Sequence, residues 1–453
     1  MTESHTPRDP ATPRAPLSAD RAESIFTDYK PALTRDQAIT EANRCLFCTD
    51  APCVQACPTH IDIPQFIRKI ATGNDEGSAR TIFSSNILGM TCARVCPVEV
   101  LCVGDCVYND KGEPPIQIGK LQRYATDLAF EKGTQFFEAG PDTGKSVGLV
   151  GAGPASLAAA HRLRRLGHRV TIYEKRRVVG GLNTTGVAPH KLRADASLEE
   201  VDWVLAIGGI DVRTGVSIGT DLSFEELEKR HDAVFVGAGL GADTLLDAPG
   251  SQLANIEGAV AWIERMKLEK LDVSGFQHCV VVGGGNTALD VVREARTLGI
   301  PKVTLLYRGH EAGMSGYEHE WESAKVQGVG AAWRLQPIGF EADVGAGKSV
   351  AGVKCVRLDE TKKAIPGTEH VVPCDLVLLA IGQSTLGSLL ASLPGVALEK
   401  GRVVTDEQGR TGRRGLFAGG DCRNGGKEVV NAVAEGDTAA LAIDAYLKGN
   451  SHG

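Results

Sequence analysis

Aromatic residues are scarce in this chain of 453 residues, at 5%. A basic excess is missing: 49 lysines and arginines against 56 aspartates and glutamates leave a net charge of −7. That balance argues against a nucleic-acid or anionic-membrane binder, which carries a surplus of cations. Long apolar runs are missing too, since stretches such as Leu376-Val-Leu-Leu-Ala-Ile381 fall far short of the roughly 20 residues a membrane span needs. The first 30 residues hold no apolar export segment, only Pro7, Pro10, Pro13 and Pro16 among Arg, Asp and Glu. They read as a flexible polar tail, and the chain is expected to be cytoplasmic, where thiols stay reduced or bind metal. What it has in excess is glycine, 54 of 453 residues, or about 12% against about 7% on average. A length near three domains, 42% hydrophobic and 23% charged residues, and many glycines with few aromatics suggest an α/β nucleotide-binding protein. Membrane, fibrous and disordered chains are excluded.

Of twelve cysteines, eight lie between Cys45 and Cys106, while Cys279, Cys355, Cys374 and Cys422 are scattered singly. The group reads Cys45-x2-Cys48-x4-Cys53-x3-Cys57-Pro58 and, after a gap, Cys92-x3-Cys96-Pro97-x4-Cys102-x3-Cys106. Short spacings let one loop wrap several thiolates around one inorganic centre, and the prolines turn the chain away from it. The pattern resembles the bacterial ferredoxin run, in which three close cysteines hold one 4Fe–4S cluster and the Cys-Pro cysteine reaches the other. Structural zinc commonly uses two Cys-x2-Cys pairs, and one such pair exists here; a disulfide framework is out of place in the cytosol. Two iron–sulfur clusters are therefore favoured. They need eight ligands, but in a helical run from Gly89 the Cys92 thiol would pack as a small hydrophobe. A non-cysteine ligand would then be missing, and spacing does not identify it.

A short apolar strand at 146–151 runs into Gly151-x-Gly153-x-x-Ser156 and an alanine-rich helix. A second strand ends in Glu174, 174 − 151 = 23 residues beyond the first glycine. Together these form the dinucleotide fingerprint: glycines admit a pyrophosphate to a helix N-terminus, and the acid takes ribose hydroxyls. Ser156 departs mildly from the usual Gly or Ala, so a close helix–strand contact must accommodate it. The pattern recurs 283 − 151 = 132 residues later as Gly283-Gly-Gly285-Asn-Thr-Ala288, with Arg308 closing the second strand. Arg308 could meet a 2′-phosphate or stack on adenine; Gly309 and His310 add no second permanent cation. Later strands end at Gly237 and Gly382, and Gly415-Leu-Phe-Ala-Gly-Gly-Asp421 precedes a final helix from about Val430 to Leu447. This order is that of flavoprotein reductases in which an NAD(P) domain is inserted into an FAD domain. No Cys-x2-Cys pair follows Cys106, so electrons leave the flavin by another route than a redox disulfide, and the iron–sulfur segment is the evident exit.

Over roughly residues 38–448 the chain resembles the N-terminal half of dihydropyrimidine dehydrogenase, and more closely the separate flavin/iron–sulfur subunits of the bacterial NAD-dependent form. The matching stretches are Arg44-Cys-Leu-Phe-Cys-Thr-Asp-Ala-Pro-Cys53, Leu101-Cys-Val-Gly-Asp-Cys106, Ile118-Gly-Lys-Leu-Gln-Arg123, Gly151-Ala-Gly-Pro-Ala-Ser156, Glu174-Lys175 and Gly180-Gly-Leu182. The glutamate synthase small subunit shares the architecture but typically carries Glu where this chain has Gln122; the dehydrogenase family carries Gln there as a cluster ligand. The resemblance implies one cluster on Cys45, Cys48, Cys53 and Cys106 and another on Cys57, Cys96, Cys102 and Gln122, with Cys92 free of iron. For FAD it implies Gly151, Ala152, Gly153, Pro154, Ala155 and Ser156, then Glu174, Lys175, Gly181 and Leu182, then Gly420, Asp421 and Val429. Lys191 stands where the family usually has an FAD-contacting arginine, keeping the charge but losing the planar fork. For the pyridine nucleotide it implies Gly284, Gly285, Asn286, Thr287 and Arg308, with Ala380, Ile381 and Gly382 on the later strand. NADP-using relatives carry further basic residues where this chain has Gly309 and Ser315, which shifts the reading toward NADH over NADPH.

The expected architecture is α/β: a flexible tail over 1–37, a helical domain with two 4Fe–4S clusters over 38–140, and two Rossmann-like domains. The FAD domain takes 141–245 and 380–453, and the NAD(P)H domain, inserted into it, takes 246–379. Hydride transfer from nicotinamide to flavin asks no side chain for acid or base work, and catalysis rests on orientation. An FMN-bearing barrel for pyrimidine reduction would need roughly 250 further residues, so a separate catalytic subunit is the expected partner in a hetero-oligomer. A glutamate synthase input subunit, a related transhydrogenase and a non-catalytic electron-transfer scaffold are the alternatives; Gln122 argues against the first two, and the intact glycines, Glu174 and Asp421 against the last.

Overall fold

The computed structural model describes residues 17–343, 348–391, 393 and 395–449. The iron–sulfur region is helical, built on Arg35–Ala42, Ile63–Ala71, Asp75–Ser85, Gly89–Val95 and Ile118–Glu131, with short turns between them carrying most of the cysteines. A capping box on Thr34 starts the first of these, and Asp62 and Asn74 cap the next two. Their apolar faces, with Phe66, Ile67, Ile70, Ile82 and Leu121 fully buried, form one continuous core with the α/β domain that follows. Trp203 joins the two: its ring lies 4.5 Å from that of Phe83, and its indole N–H donates to Thr134 O at 2.8 Å.

The first of the two α/β domains carries strands β1 (Ser146–Val150), β2 (Arg169–Glu174), β3 (Ile210–Thr214) and β4 (Ala233–Val236). The chain then leaves for the second domain, with β5 (Ile256–Gly258), β6 (His278–Val282), β7 (Lys302–Tyr307) and β8 (Gly330–Trp333). Next come β9 (Leu335–Ala342), β10 (Val350–Arg357) and β11 (His370–Pro373), an antiparallel sheet of its own, followed by β12 (Leu376–Leu379). A two-strand hairpin, β13 (Leu398–Glu399) and β14 (Arg402–Val403), precedes β15 (Leu416–Ala418), which rejoins the first sheet. Both large sheets are wholly parallel, in orders β15-β4-β1-β2-β3 and β5-β12-β6-β7-β8. Such sheets are covered on both faces and bind ligands beyond the carboxyl ends of their strands. The closing helix Val429–Leu447 lies against Pro154–Arg165 so tightly that a Cβ on Gly436 would come within 2.1 Å of Ala155 O.

The segment expected as tail needs a correction. Residues 1–16 lie outside the described residues, but from Arg21 onward the chain is anchored at several points, with Arg21, Glu23 and Phe26 buried. Ala22–Ile25 forms a 3-10 turn, Phe26 is buried among Trp262, Met266 and Val273 of the second domain, and Tyr29 N–H donates to His190 O at 2.9 Å. Asp28 pairs with Arg123 at 2.6 Å. A few apolar anchors and charge pairs thus order a polar stretch. Among the described residues no helix is long and apolar enough to cross a membrane.

Candidate functional site

The first glycine loop leaves β1 with Gly151 at φ 91°, and a Cβ there would stand 2.8 Å from Gly237 O. Gly181, at φ 58°, faces Gly153 so closely that its Cβ would meet Gly153 Cα at 2.8 Å. These missing side chains leave bare backbone at the N-terminus of the helix Pro154–Arg165, a cradle suited to a pyrophosphate. Glu174 is buried, and its carboxylate accepts from Ala152 N–H at 2.8 Å and Arg176 N–H at 2.9 Å. It is thereby held at the loop, with lone pairs left for ribose hydroxyls. Ser156 is fully buried, and a Cβ on Gly237 would reach its Oγ at 2.3 Å. The absent side chain of Gly237 makes the room that the serine needs. On the opposite side Gly420 N–H donates to Glu435 at 2.7 Å, and burial pushes the Asp421 carboxyl above its usual range.

Gly151, Gly153, Pro154, Ala155, Glu174, Lys175, Gly181, Leu182, Lys191, Gly420, Asp421 and Val429 line one cavity of about 370 Å³. Ala152 and Ser156 sit behind it, within the core. Its wall also includes Cys96 and Pro97 from the iron–sulfur region and Asn286, Thr287 and Tyr317 from the second domain. A second groove of about 1060 Å³ takes in Gly284, Gly285, Thr287, Arg308, Ala380, Ile381 and Gly382. The two share Leu240, Thr287 and Gln383. The two spaces are therefore neighbours: the first is walled by residues of both glycine loops and by Cys96, the second by the second loop.

Cys45, Cys48, Cys53 and Cys106 come together around a small apolar pocket with Ile63 and Ile67. Cys57, Cys96 and Cys102 form the other group: Cys92 and burial push the Cys96 thiol up with Cys102 and Cys57 adding to it, and Cys57 adds to the effect of burial on Cys102. Burial pushes the thiols of Cys53 and Cys102 up to about 12, with neighbouring cysteines adding to it. Only a cationic centre would hold such thiols ionised. Tetrahedral zinc at about 2.3 Å from each sulfur would draw its thiolates to about 3.8 Å from one another. Among the described residues the one group of three or more His, Cys, Asp or Glu ligand atoms within 4.8 Å is His190, Asp290 and Glu320, not a set of cysteines. The wider spacing suits a cluster better than a single ion. Cys92 is buried inside the helix Gly89–Val95 with its thiol beside that of Cys96. Gln122, also buried, donates from its amide nitrogen to Gly89 O at 2.8 Å.

The ammonium of Lys191 lies 2.7 Å from both Asp290 and Glu320, so it bridges the two domains as well as walling the cavity. It also stands inside the His190–Asp290–Glu320 group, where a metal would have to go. Several wall residues escaped the sequence reading: Tyr29 and Lys30 from the N-terminal segment, Arg94, and the pair Tyr317–Glu428, whose hydroxyl donates across the domain boundary at 2.8 Å. Lys400 and Arg402, from the β13–β14 hairpin, line the same groove as Arg308. Only folding brings them there. Cys279, Cys355, Cys374 and Cys422 are buried and none of them lines either space.

Residues 21–134 match the family described as dihydropyrimidine dehydrogenase domain II, 4Fe-4S cluster, and residues 145–436 match the pyridine nucleotide-disulphide oxidoreductase family. The glutamate synthase (NADPH) small chain of Halomonas elongata is 34% identical, the match covering 97% of this chain and 96% of its own. The NAD-dependent dihydropyrimidine dehydrogenase subunit PreT of Escherichia coli is also 34% identical, over 94% of this chain and 98% of its own. Of the solved structures, Mycobacterium tuberculosis FprA in complex with NADPH aligns at a TM-score of 0.54 and 19% identity, over 67% of this chain and 85% of that one. The thioredoxin reductase of T. acidophilum aligns at 0.53 and 22%, over 68% and 100%. These likenesses establish the fold of two dinucleotide-binding domains. The chain belongs to the pyridine nucleotide-disulphide oxidoreductase family, as an electron-transfer flavoprotein reductase with a dihydropyrimidine dehydrogenase-type 4Fe–4S domain ahead of its flavin and NAD(P) domains.

Proposed function

We propose that this chain is the electron-input subunit of a dihydropyrimidine dehydrogenase. It oxidises NADH at FAD and hands electrons through two 4Fe–4S clusters to an FMN-containing partner, which reduces uracil or thymine. The observation that carries the reading is the cavity whose wall holds Gly151 and Gly153 of one loop, Asn286 and Thr287 of the other, and Cys96. The chemistry supplied when the groups are bound is hydride acceptance at the flavin and single-electron relay at the iron.

The chain's own residues supply position and exclusion of water. Glu174 and the bare loop at Gly151–Gly153 hold one dinucleotide, and Gly284–Asn286 present the other to the same space. Asn286 Oδ1 accepts from the backbone N–H of Tyr317 at 3.0 Å, so the second loop is tied to a residue that lines the flavin cavity. The group Cys57, Cys96 and Cys102 is the inner one because Cys96 walls that cavity. Cys45, Cys48, Cys53 and Cys106 form the outer group, reached through the neighbouring Cys53 and Cys102. Gln122 supports the dehydrogenase branch: with its amide nitrogen on Gly89, its oxygen is the atom left for iron. Equal identity to a glutamate synthase small chain supports that second reading.

Anaerobic purification with the native partner tests the choice. About eight iron atoms and one FAD in this chain, FMN in the partner and NADH-dependent loss of uracil are expected. Glutamine-dependent oxidation of the nucleotide by the complex, with no pyrimidine activity, would transfer the chain to the glutamate synthase branch.

A further inference from the structure

The helix Gly89–Val95, which delivers Cys96, has no cap of its own. Its N-cap residue, Leu88, offers no side-chain acceptor, and the helix is buried around Met90 and Thr91. The missing acceptor comes from the flavin domain. Glu200, on the helix Ala194–Leu205, accepts from Met90 N–H at 2.9 Å and from Thr91 N–H at 3.2 Å on each oxygen. Its side chain is 1% exposed. The cation that faces it is Arg94 of the same short helix, itself paired with Asp127 at 2.8 Å.

A serine or aspartate at position 88 would satisfy the same N–H groups at little cost. Burying a carboxylate across a domain boundary costs far more, because the charge must leave water. The costlier arrangement does two things that a local cap does not. It ties the helix that ends at Cys96 to the flavin domain through the helix Ala194–Leu205, and it sets a negative charge at the end of the Gly89–Val95 helix opposite Cys96, on the order of 10 Å away, since seven residues of helix rise about 10 Å. The turn it caps is also the one Gln122 grips, through Gly89 O.

We propose that Glu200 is a positioning residue for the inner cluster, fixing the Cys96 helix against the flavin domain and lowering that cluster's reduction potential by its charge. The proposal rests on the two-cluster reading above. A negative charge nearby disfavours the gain of an electron, and low-dielectric surroundings strengthen the effect.

The test is an EPR-monitored redox titration of anaerobically purified holoenzyme at pH 8, for wild type, Glu200→Gln and Glu200→Ala, with iron and FAD contents and amide hydrogen exchange. Glu200→Gln is expected to keep both clusters and raise the potential of one of them alone. Glu200→Ala is expected to lose the inner cluster, about half the iron, while keeping FAD and the outer cluster. Exchange at Met90 and Thr91 should rise at least about tenfold in Glu200→Ala, as a charged hydrogen bond to a buried amide is lost. Wild-type potentials in Glu200→Gln, or an equal shift of both clusters, would overturn the electrostatic role. Unchanged exchange at Met90 and Thr91 would overturn the positioning role, and does so whatever the wild-type iron content shows about the two-cluster reading.

Discussion

The side-chain amide of Gln122 donates to the backbone carbonyl of Gly89 over 2.8 Å, joining the helix Ile118–Glu131 to the one that ends at Cys96. That bond fixes which end of the amide faces away, toward the inner cysteines in the ligand role proposed above. A neutral amide oxygen gives iron less charge than a thiolate, so Gln122→Cys should retain the cluster with an altered potential and spectrum. Gln122→Leu should damage the inner cluster and lower electron delivery to the partner by about tenfold or more, while NADH-to-dye activity at the flavin survives. Two unchanged EPR signals in Gln122→Leu would remove it from the ligand set.

Cys92 gives the complementary test. It is 2% exposed, lies mid-helix, and sits beside the Cys96 thiol. Cys92→Ser should leave the iron content at about eight and both EPR signatures in place, with at most a small shift in the signal to which Cys96 contributes. Loss of about four iron atoms would make Cys92 the eighth ligand.

What was legible beforehand is what is local in the chain. Gly151 and Glu174 stand 23 residues apart on one strand–helix–strand unit, and cysteines three to five residues apart must share a loop, so pattern and geometry coincide. The run from Gly89, read as helical if Cys92 is to pack as a hydrophobe, and the final helix from about Val430 were readable for the same reason. Contacts between distant residues were not. Glu200 meets the Met90 amide across 110 residues, and Lys191 meets Asp290 and Glu320 in another domain. Composition misled over 17–37, because prolines and charges describe an unpacked tail while single residues such as Phe26 and Tyr29 decide where the segment lies.

Nucleotide preference should be read with an artificial electron acceptor, so that the partner is not needed. NADH is expected to show the higher kcat/KM. Ser315 Oγ lies 3.4 Å from Gly284 O at the mouth of the second loop, so Ser315→Arg should place a guanidinium near a 2′-phosphate and favour NADPH by about tenfold, the scale of one charged hydrogen bond. Gly309→Arg is a poorer route, since its Cβ would meet the Tyr307 ring at 2.6 Å. Lys400 and Arg402 line the same groove, and a wild-type preference for NADPH would assign the phosphate to Arg308 together with one of them.

Stability against pH isolates Glu200. Burial pushes its carboxyl up from 4.5 to about 7 in the folded chain, with the Thr91 side chain, the Thr91 and Met90 amides and, least, Arg94 only partly opposing that. Between those values the folded state holds a proton that the unfolded state has released, so stability falls as pH rises through the interval. The size is (7 − 4.5) × 1.36, or about 3 kcal/mol, fully expressed above about pH 7 and absent below about pH 4.5. Glu200→Gln has no proton to release, so the difference in unfolding free energy between the variant and wild type should move in the variant's favour across that window and level off above it. Taking the difference cancels the titration of every carboxylate the two proteins share. Denaturant unfolding of both proteins at half-unit steps from pH 4.5 to 8 reads it directly, and a flat difference would show that Glu200 is ionised throughout, held so by its amide donors and Arg94 against the cost of burial.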